Sequence, residues 1–584
     1  MGNILGILGT GVSGLFAAQA QIDVAGNNIT NVNTEGYSRQ RVSLVTSNSQ
    51  VTQYGVFGRG VTIENIVQVY DSVLANTIRS ETSDLAYYTT TQDALTNIEI
   101  YFNELEDGSG LGEAMSEYFA AWSDLANTAT DQSDEALIKK QTVVEKADLL
   151  AEKIRASYTA MEQVKQQSNN NVKDYVNEIN TISQNISYLN SQIAMVEATG
   201  QMANDLRDKR EILLNDLSKL TNVSVVERTS GQIAVYVGGN ALVDEGAYYQ
   251  LRTAQTSGSD TDFSIFWGTP SSVDKLGVDV TESFSSGKIG GELMIRDSVV
   301  QSYMDSLNSL AATLITKTNE LHAVGQGSDK LTQITSSSGV KNASYPLSDP
   351  AGALPSAVTA GVMRITVYDS EGNVVNNLDI EIDPKVDTMN SIISKISYAD
   401  GNPNGGILQA SLSQNNTLKI YSESGYSFSF AEDTSGFLTA SGTYGFFSGE
   451  NASNIGVSSL IKENISYLAT SKSGALGDNQ NAKAIAELKG SKVFSQNVTL
   501  DEYYALFVGK IATDKSTADT YATTKLHLVT EYSKKLESIK GVSLDEEMAE
   551  IIRFQRAYEA SARFINVVDE MIDKIVNGLG TGGR

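Results

Sequence analysis

The sequence predicts a multidomain α+β protein, with paired N- and C-terminal coiled-coil helices, an elongated helical core domain and inserted outer β-rich domains. Three observations predict it. The 584 residues exceed what one hydrophobic core usually organises, about 250 to 300 residues. The six prolines all lie between Pro270 and Pro403, so both flanks lack the strongest helix breaker. Apolar spacing also switches from helical to alternating and back along the chain.

From Tyr70 to about Leu220 apolar residues recur at three and four, as in Ile182, Ile186, Leu189, Ile193 and Val196, which predicts three or four long helices. Residues Asn204 to Leu214 continue the spacing with interleaved charges that can pair along one face. After Leu220, Val223 to Glu227 and Gln232 to Val237 alternate, with Gly238-Gly239 as a turn, and predict a small β region. Helical spacing returns from Gly290 to Ala323. A stretch rich in Gly, Ser, Thr and Asn follows to about Gly456. Within it, Met363 to Tyr368 and Val374 to Ile382 predict a hairpin around a turn at Asp369 to Asn373. Leu418 to Tyr421 and Phe428 to Phe430 add strands, and Thr388 to Tyr398 a helix. From Leu476 to Lys540 the chain is helical again. Such nesting places β domains as insertions in a helical core whose halves are distant in sequence.

The two ends carry heptads. Ser543-Leu-Asp-Glu546 is a capping-box pattern, so a helix starts there. Leu544, Ile551, Tyr558, Ile565 and Ile572 then repeat at seven, with Met548, Ala562 and Val576 between them, and Glu559 and Arg563 form a supporting pair. Leu8, Leu15, Ile22 and Ile29 repeat likewise at the N-terminus, with Ala18, Ala25 and Val32 three residues after the last three. Two such stripes invite mutual pairing, although by pattern alone each could equally pack on its own domain. Gly6, Gly9, Gly11, Gly14 and Gly26 each cost a helix about 1 kcal/mol relative to alanine. The N-terminal helix is therefore marginal alone, and both ends are expected to be disordered in the monomer and to fold on assembly.

Composition narrows the function. A formal charge of -27 argues against nucleic-acid or anionic-membrane partners, and no apolar run is long enough to span a membrane. With no cysteine, thiolate chemistry and cysteine-ligated metals are excluded. His322 and His527 are the only imidazoles, each flanked by leucine, and are expected on helix faces rather than in a metal or proton-transfer site. No catalytic, cofactor or metal residue is assigned. The N-terminus lacks the basic start, apolar stretch and cleavage site of a secretory signal.

One enzymatic signal competes. Gly9-Thr-Gly-Val-Ser-Gly14 matches the dinucleotide-binding fingerprint, with Glu35 at roughly the ribose-binding distance. The second strand of such a unit would be Asn27 to Asn33, whose four asparagines suit a buried strand poorly. A nucleotide-binding oxidoreductase is thus the alternative from another class, and an adhesin-like surface protein a third, suggested only by the β insertion. Gly55 to Gly60 reads as a hairpin bend, and Asp369 to Asn373 lacks the later glutamate of a calcium loop.

Ser13-Gly-Leu-Phe-Ala-Ala-Gln19 and Asn27-Asn-Ile-Thr-Asn-Val-Asn-Thr-Glu-Gly-Tyr37 resemble the N-terminal signature of flagellar rod, hook and hook-associated proteins. Gly541 to Met548, Phe554-Gln-Arg-Ala-Tyr558, Ala562-Arg563 and Asp569-Glu-Met571 resemble their C-terminal signature. Within that family, Gly36-Tyr-Ser-Arg-Gln40 and the helices from Tyr70 to Leu220 are similar to the hook-associated protein 1 family of the hook-filament junction. A hook or other axial subunit is the alternative of the same class.

The resemblance implies a non-enzymatic structural subunit, exported through the flagellar type III apparatus without a cleaved signal and located outside the cell at the hook-filament junction. It implies self-assembly in a ring or helical layer, with the hook protein, second junction or filament subunits and an export chaperone as partners. The expected motif residues are Asn27, Asn28, Asn31, Asn33, Thr34, Gly36, Tyr37, Arg39 and Gln40, and the heptad residues named above form the seam of an inner layer. The expected domains are 1–45, the N-terminal helix of an inner core domain that pairs with 541–584; 46–222, a long-helix core; 223–285, a small β domain; 286–324, a core helix; 325–460, an inserted outer β-rich domain; and 461–540, the helical return.

Overall fold

The computed structural model describes residues 2–52, 55–102, 110–128, 133–255, 262–268, 277–401, 406–475 and 477–578. Its helices are α1 (Gly2–Thr30), α2 (Ser72–Tyr101), α3 (Leu111–Ala126), α4 (Asp134–Glu197), α5 (Asn204–Leu220), α6 (Gly287–Met294), α7 (Val300–His322), α8 (Met389–Ser397), α9 (Phe437–Ser441), α10 (Ser459–Glu463), α11 (Gln480–Glu487), α12 (Leu500–Lys540) and α13 (Leu544–Gly578). Separate small antiparallel sheets lie between them in sequence.

By internal contacts the chain divides into two compact units. The first comprises Met1–Asp93, Gln166–Arg296 and Ser516–Arg584, the second Ala94–Lys165 and Asp297–Lys515. Helices α2, α4 and α12 contribute residues to both.

In the first unit, Val172, Val176, Ile179 and Ile186 follow helical spacing along α4 and are buried against Leu214, Leu217 and Leu220 of α5 and against strand residues Ile233, Val235 and Val237. Those strand residues belong to a four-stranded sheet of Ser224–Glu227, Ile233–Val237, Asn240–Asp244 and Ala247–Tyr248, whose central turn at Gly238 and Gly239 takes positive φ. Buried Asn190 ties sheet to helix, donating from Nδ2 to the carbonyls of Ile233 and Glu245. The arginines of Asn204 to Leu214 do not pair along the helix's own face as the spacing suggests, although Lys219 and Asp216 farther along α5 do. Arg207 instead reaches Glu197 and Glu227, and buried Arg210 reaches Asn190 Oδ1 and the Gly231 carbonyl, because that face meets the sheet. Strands Gln40–Thr46 and Val61–Gln68 form an antiparallel ribbon with Gln40 opposite Gln68. Gly55 to Phe57 pairs with Gln50 to Thr52 beyond it.

The second unit buries Tyr118 of α3 against Phe446 and Phe447 and Trp122 against Phe446, with Phe119 beside Tyr118 and α3 also packed on α11. Strand Gly361–Tyr368 pairs with Val374–Ile382 and with Ser427–Asp433, and the Asp369 carboxylate accepts backbone N–H groups from Glu371 and Asn373 inside the hairpin turn. A second sheet orders Gln333–Gly339, Thr417–Ser422 and Leu408–Leu412. Helix α8 carries a full capping box between Thr388 and Ser391. The helical return is interrupted: residues 488–499 separate α11 from α12, and Thr499 with Glu502 caps the latter.

Gly9 to Gly14 are interior turns of the continuous helix α1, so the strand-loop-helix geometry that cradles a dinucleotide phosphate is not formed there. His322 is a buried residue near the end of α7, and His527 is exposed on α12.

Candidate functional site

The asparagine-rich segment makes the end of α1. Asn31 donates from its amide to the Asn27 backbone and side-chain oxygens, and Thr34 Oγ1 donates to Asn31 Oδ1, which satisfies groups left open where the helix stops. Gly36 then turns the chain at φ +78, where a Cβ would lie 2.6 Å from Ile212 Cδ1 of α5. Asn33 is exposed, whereas Asn28 is buried and acts as a hub. Its Oδ1 accepts from Tyr37 Oη at 2.8 Å and from the Gln40 N–H at 2.9 Å, and its Nδ2 donates to the Gln40 carbonyl and to Glu547 Oε2 of α13, both at 3.0 Å. All of the amide's hydrogen-bonding groups are therefore used in a buried place.

Arg39 completes the joint, with Nε 2.6 Å from Glu547 Oε1 and Nη1 3.2 Å from Glu546 Oε2. Ser543 Oγ accepts the Glu546 N–H, as a cap should, but the Glu546 carboxylate turns to Arg39 rather than back to Ser543. On the other side α5 supplies two carboxylates. Asp208 accepts from the Ser38 N–H and Gln68 Nε2, and Asp205 from Gln40 Nε2. Burial, with Asp208, Asp205 and Glu547 nearby, pushes the Tyr37 phenol up to about 12.

Beyond the joint, α1 lies along α13. The contact uses small residues of α1: a Cβ on Gly11 would lie 2.8 Å from Ile565 Cγ1, and one on Gly14 3.0 Å from Ser561 Oγ. Ala17, Ala18, Val24 and Ala25 are buried, while Leu8, Leu15, Ile22 and Ile29 are half-buried. On α13, Ile551, Ile565 and Ile572 are half-buried, Val568 is buried, and Leu544 and Tyr558 stand 49% and 37% exposed.

Both segments that meet here match known proteins. Residues 8–37 match the flagella basal body rod protein family and 538–578 the C-terminal family of flagellar basal body rod FlgEFG proteins. Residues 95–334 match the helical domain of flagellar hook-associated protein FlgK. The chain is 26% identical to flagellar hook-associated protein 1 of Bacillus subtilis (strain 168), over 98% of this chain and 97% of that one. It is 25% identical to flagellar hook-associated protein 1 of Salmonella typhimurium, over 97% and 98%. The chain is thus similar over nearly its full length to proteins named flagellar hook-associated protein 1. The fold of flagellar hook junction protein FlgK from Burkholderia pseudomallei is similar, with TM-score 0.51 and 16% identity over 80% of this chain and all of that one.

These matches support a structural role in the flagellum and self-assembly within its axial structure. Participants in the joint or contact that the heptads do not show include Asp205, Asp208, Glu547, Gly11 and Val568. A second acid in the first turn of α13, one position after the capping-box acid, is the signal the sequence offers for Glu547, and its burial is seen only in the fold.

Proposed function

We propose that the chain is a non-enzymatic structural subunit that self-assembles at the junction between hook and filament, with α1 and α13 forming a coiled-coil pair in an inner layer. The observation that carries this reading is the packing of α1 on α13 through the two segments that match flagellar rod families. The seam residues are Leu8, Leu15, Ile22, Ile29, Leu544, Ile551, Tyr558, Ile565 and Ile572, and the motif residues Asn27 to Gln40 form the joint to the body. Phe16, Met548, Ile552 and Val567 stay 60%, 58%, 57% and 55% exposed on the paired helices, which suits burial by neighbouring subunits.

Among the described residues of α13 only Glu547 and Val568 are buried, so α1 and α13 fray in the free subunit and become fixed on assembly. The helical core would form the next layer, residues 325–460 the outer β-rich domain, and residues 223–285 a smaller one. Partners are the hook protein below, second junction or filament subunits above, and an export chaperone. The subunit leaves the cell through the flagellar export apparatus. The match of residues 95–334 to a hook-associated helical domain favours this over a hook subunit.

Electron microscopy of isolated hook-basal bodies carrying a tagged chain tests it, with label expected at the distal end of the hook. Label along the whole hook would make the chain a hook subunit. Ile565→Asp or Ile551→Asp should abolish filament attachment and motility, and normal swimming of both variants would remove the seam from the mechanism.

A further inference from the structure

The ribbon is tied to α1 where Ser13 Oγ accepts the Val61 N–H at 3.3 Å. A groove of 660 Å³ opens beside that tie, lined by Gly6, Gly9 and Phe16 of α1 and by Arg59, Val61 and Ile63 from the ribbon side. Phe16 and Ile63 stand 60% and 38% exposed, and nothing lies within 4 Å of a Cβ built on Gly9. Gly11 and Gly14 face α13 of the same chain, whereas the open side of Gly9 is filled by nothing among the described residues. Arg59 is exposed and makes no ion pair among the described residues. An apolar groove with a basic rim fits an apolar helix face with an acidic edge.

The chain carries such a face. Leu544, Met548 and Ile552 recur at four along the first turns of α13 and are 49%, 58% and 57% exposed. Asp545 stands beside them, exposed and without an ion pair among the described residues. The stripe runs about 12 Å and the groove about 15 Å from Gly6 to Phe16, so their lengths agree. A subunit cannot fill its own groove with its own stripe. The two helices run antiparallel, since Asn28 meets Glu547, Gly14 faces Ser561 and Gly11 faces Ile565. Met548 lies 17 positions before Ile565, about 25 Å along α13. Groove and stripe are thus at opposite ends of the helix pair.

We propose that the groove between α1 and the ribbon receives the stripe Leu544, Met548 and Ile552 of a second copy of this chain. Phe16 and Ile63 pack on the aliphatic side chains of the stripe, and Arg59 faces Asp545. Apolar burial holds the contact, and the charge pair sets its register. Groove and stripe are different surfaces, so each copy gives its stripe to one neighbour and its groove to another. Parallel copies joined in this way are offset by about 25 Å along the helix pair. Such an offset contact propagates as a helix and does not close into a flat ring. This contact rests on the reading of α1 and α13 as an assembling layer and names the surfaces that meet in it.

Cysteine pairing tests it, since the chain has no cysteine of its own. Gly9→Cys and Met548→Cys are combined in one chain, and flagella isolated from cells carrying only that chain are mildly oxidised. A disulfide holds its Cα atoms about 4.4 to 6.8 Å apart, so these two positions cannot close within a subunit. A ladder of disulfide-linked multimers is expected from the double variant and from neither single one. Normally assembled flagella without the ladder would give the groove to another subunit and overturn the proposal. Should the double variant not assemble, charge reversal decides. Arg59→Asp and Asp545→Arg each bring like charges together and should each lower the number of attached filaments per cell about fivefold, and their combination should recover most of the loss. A combination no better than the worse single variant overturns the contact. Crosslinks report contact between copies wherever they sit, and a label along the hook reports position, so the contact and the junction reading can fail separately.

Discussion

Asn28 of α1 donates a 3.0 Å hydrogen bond to Glu547 of α13, a residue 519 positions later in the chain. The two ends of the sequence thus meet through one buried amide, which also holds Tyr37 and the Gln40 backbone.

Replacing that amide should be costly. Asn28→Ala leaves the Gln40 N–H and the Glu547 carboxylate short of a partner in a buried site, at about 1 to 3 kcal/mol for each neutral group. Asn28→Asp should be worse than a neutral change, because it faces Glu547 with a second negative charge. Limited proteolysis should cut both variants near residues 36–41 at least about tenfold faster than wild type. Equal cutting rates would show that the hub is not what holds the joint.

The glycines of α1 separate into two kinds. Nothing lies within 4 Å of a Cβ built on Gly9 or Gly26, whereas one on Gly11 would meet Ile565 and Phe564 at 2.8 and 2.9 Å. Gly9→Ala and Gly26→Ala should each stabilise the helix by up to about 1 kcal/mol and slow trimming of residues 1–30 by protease. Gly11→Ala should oppose that gain by about 1 to 3 kcal/mol of overpacking and speed trimming. If all three variants behaved alike, helix propensity alone would govern this end.

Gly36 is exacting for a different reason. Its φ of +78 disfavours any side chain, and Ile212 Cδ1 would stand 2.6 Å from a Cβ placed there. Gly36→Ala should cost about 1 to 2 kcal/mol from backbone strain alone. The companion Ile212→Val in the same chain should recover part of the loss, read as the urea midpoint of the first unit. No recovery would mean that strain, not crowding, sets the requirement.

How much was legible follows from where the information lies. The periodicity of Val172, Val176, Ile179 and Ile186 is local, and a helix can be read from it without knowing its partner. The turn at Asp369 and the cap at Ser543 are local too. Which of four asparagines is buried is not local, since Asn28 differs from Asn27, Asn31 and Asn33 by facing Glu547 and Gln40. The glycines also carried two meanings at once. Composition registers only their cost to a helix, whereas Gly11 and Gly14 let α13 approach closely. The charges of Asn204 to Leu214 read as pairs along one helix face because nothing in their spacing shows that Arg210 is buried against Asn190 and Gly231.

His322 offers a prediction about acid stability of the second unit. Its Nε2 accepts the Ala469 N–H at 3.0 Å, so Nδ1 carries the proton and donates to the Tyr444 carbonyl at 3.0 Å. This neutral tautomer is fully buried beside Tyr444 and Phe446, and burial pulls its pKa from 6.5 down to about 4. A folded value below the unfolded one means that stability is full above about pH 6.5 and falls as pH drops toward 4. The loss by pH 4 should reach about 3 kcal/mol. Trp122 packs on Phe446, so its fluorescence reports this region in a Trp267→Phe background. Urea unfolding should show the midpoint falling between about pH 6.5 and 4. His322→Gln should start lower but lose that slope, and a slope that survived the substitution would place the titrating group elsewhere.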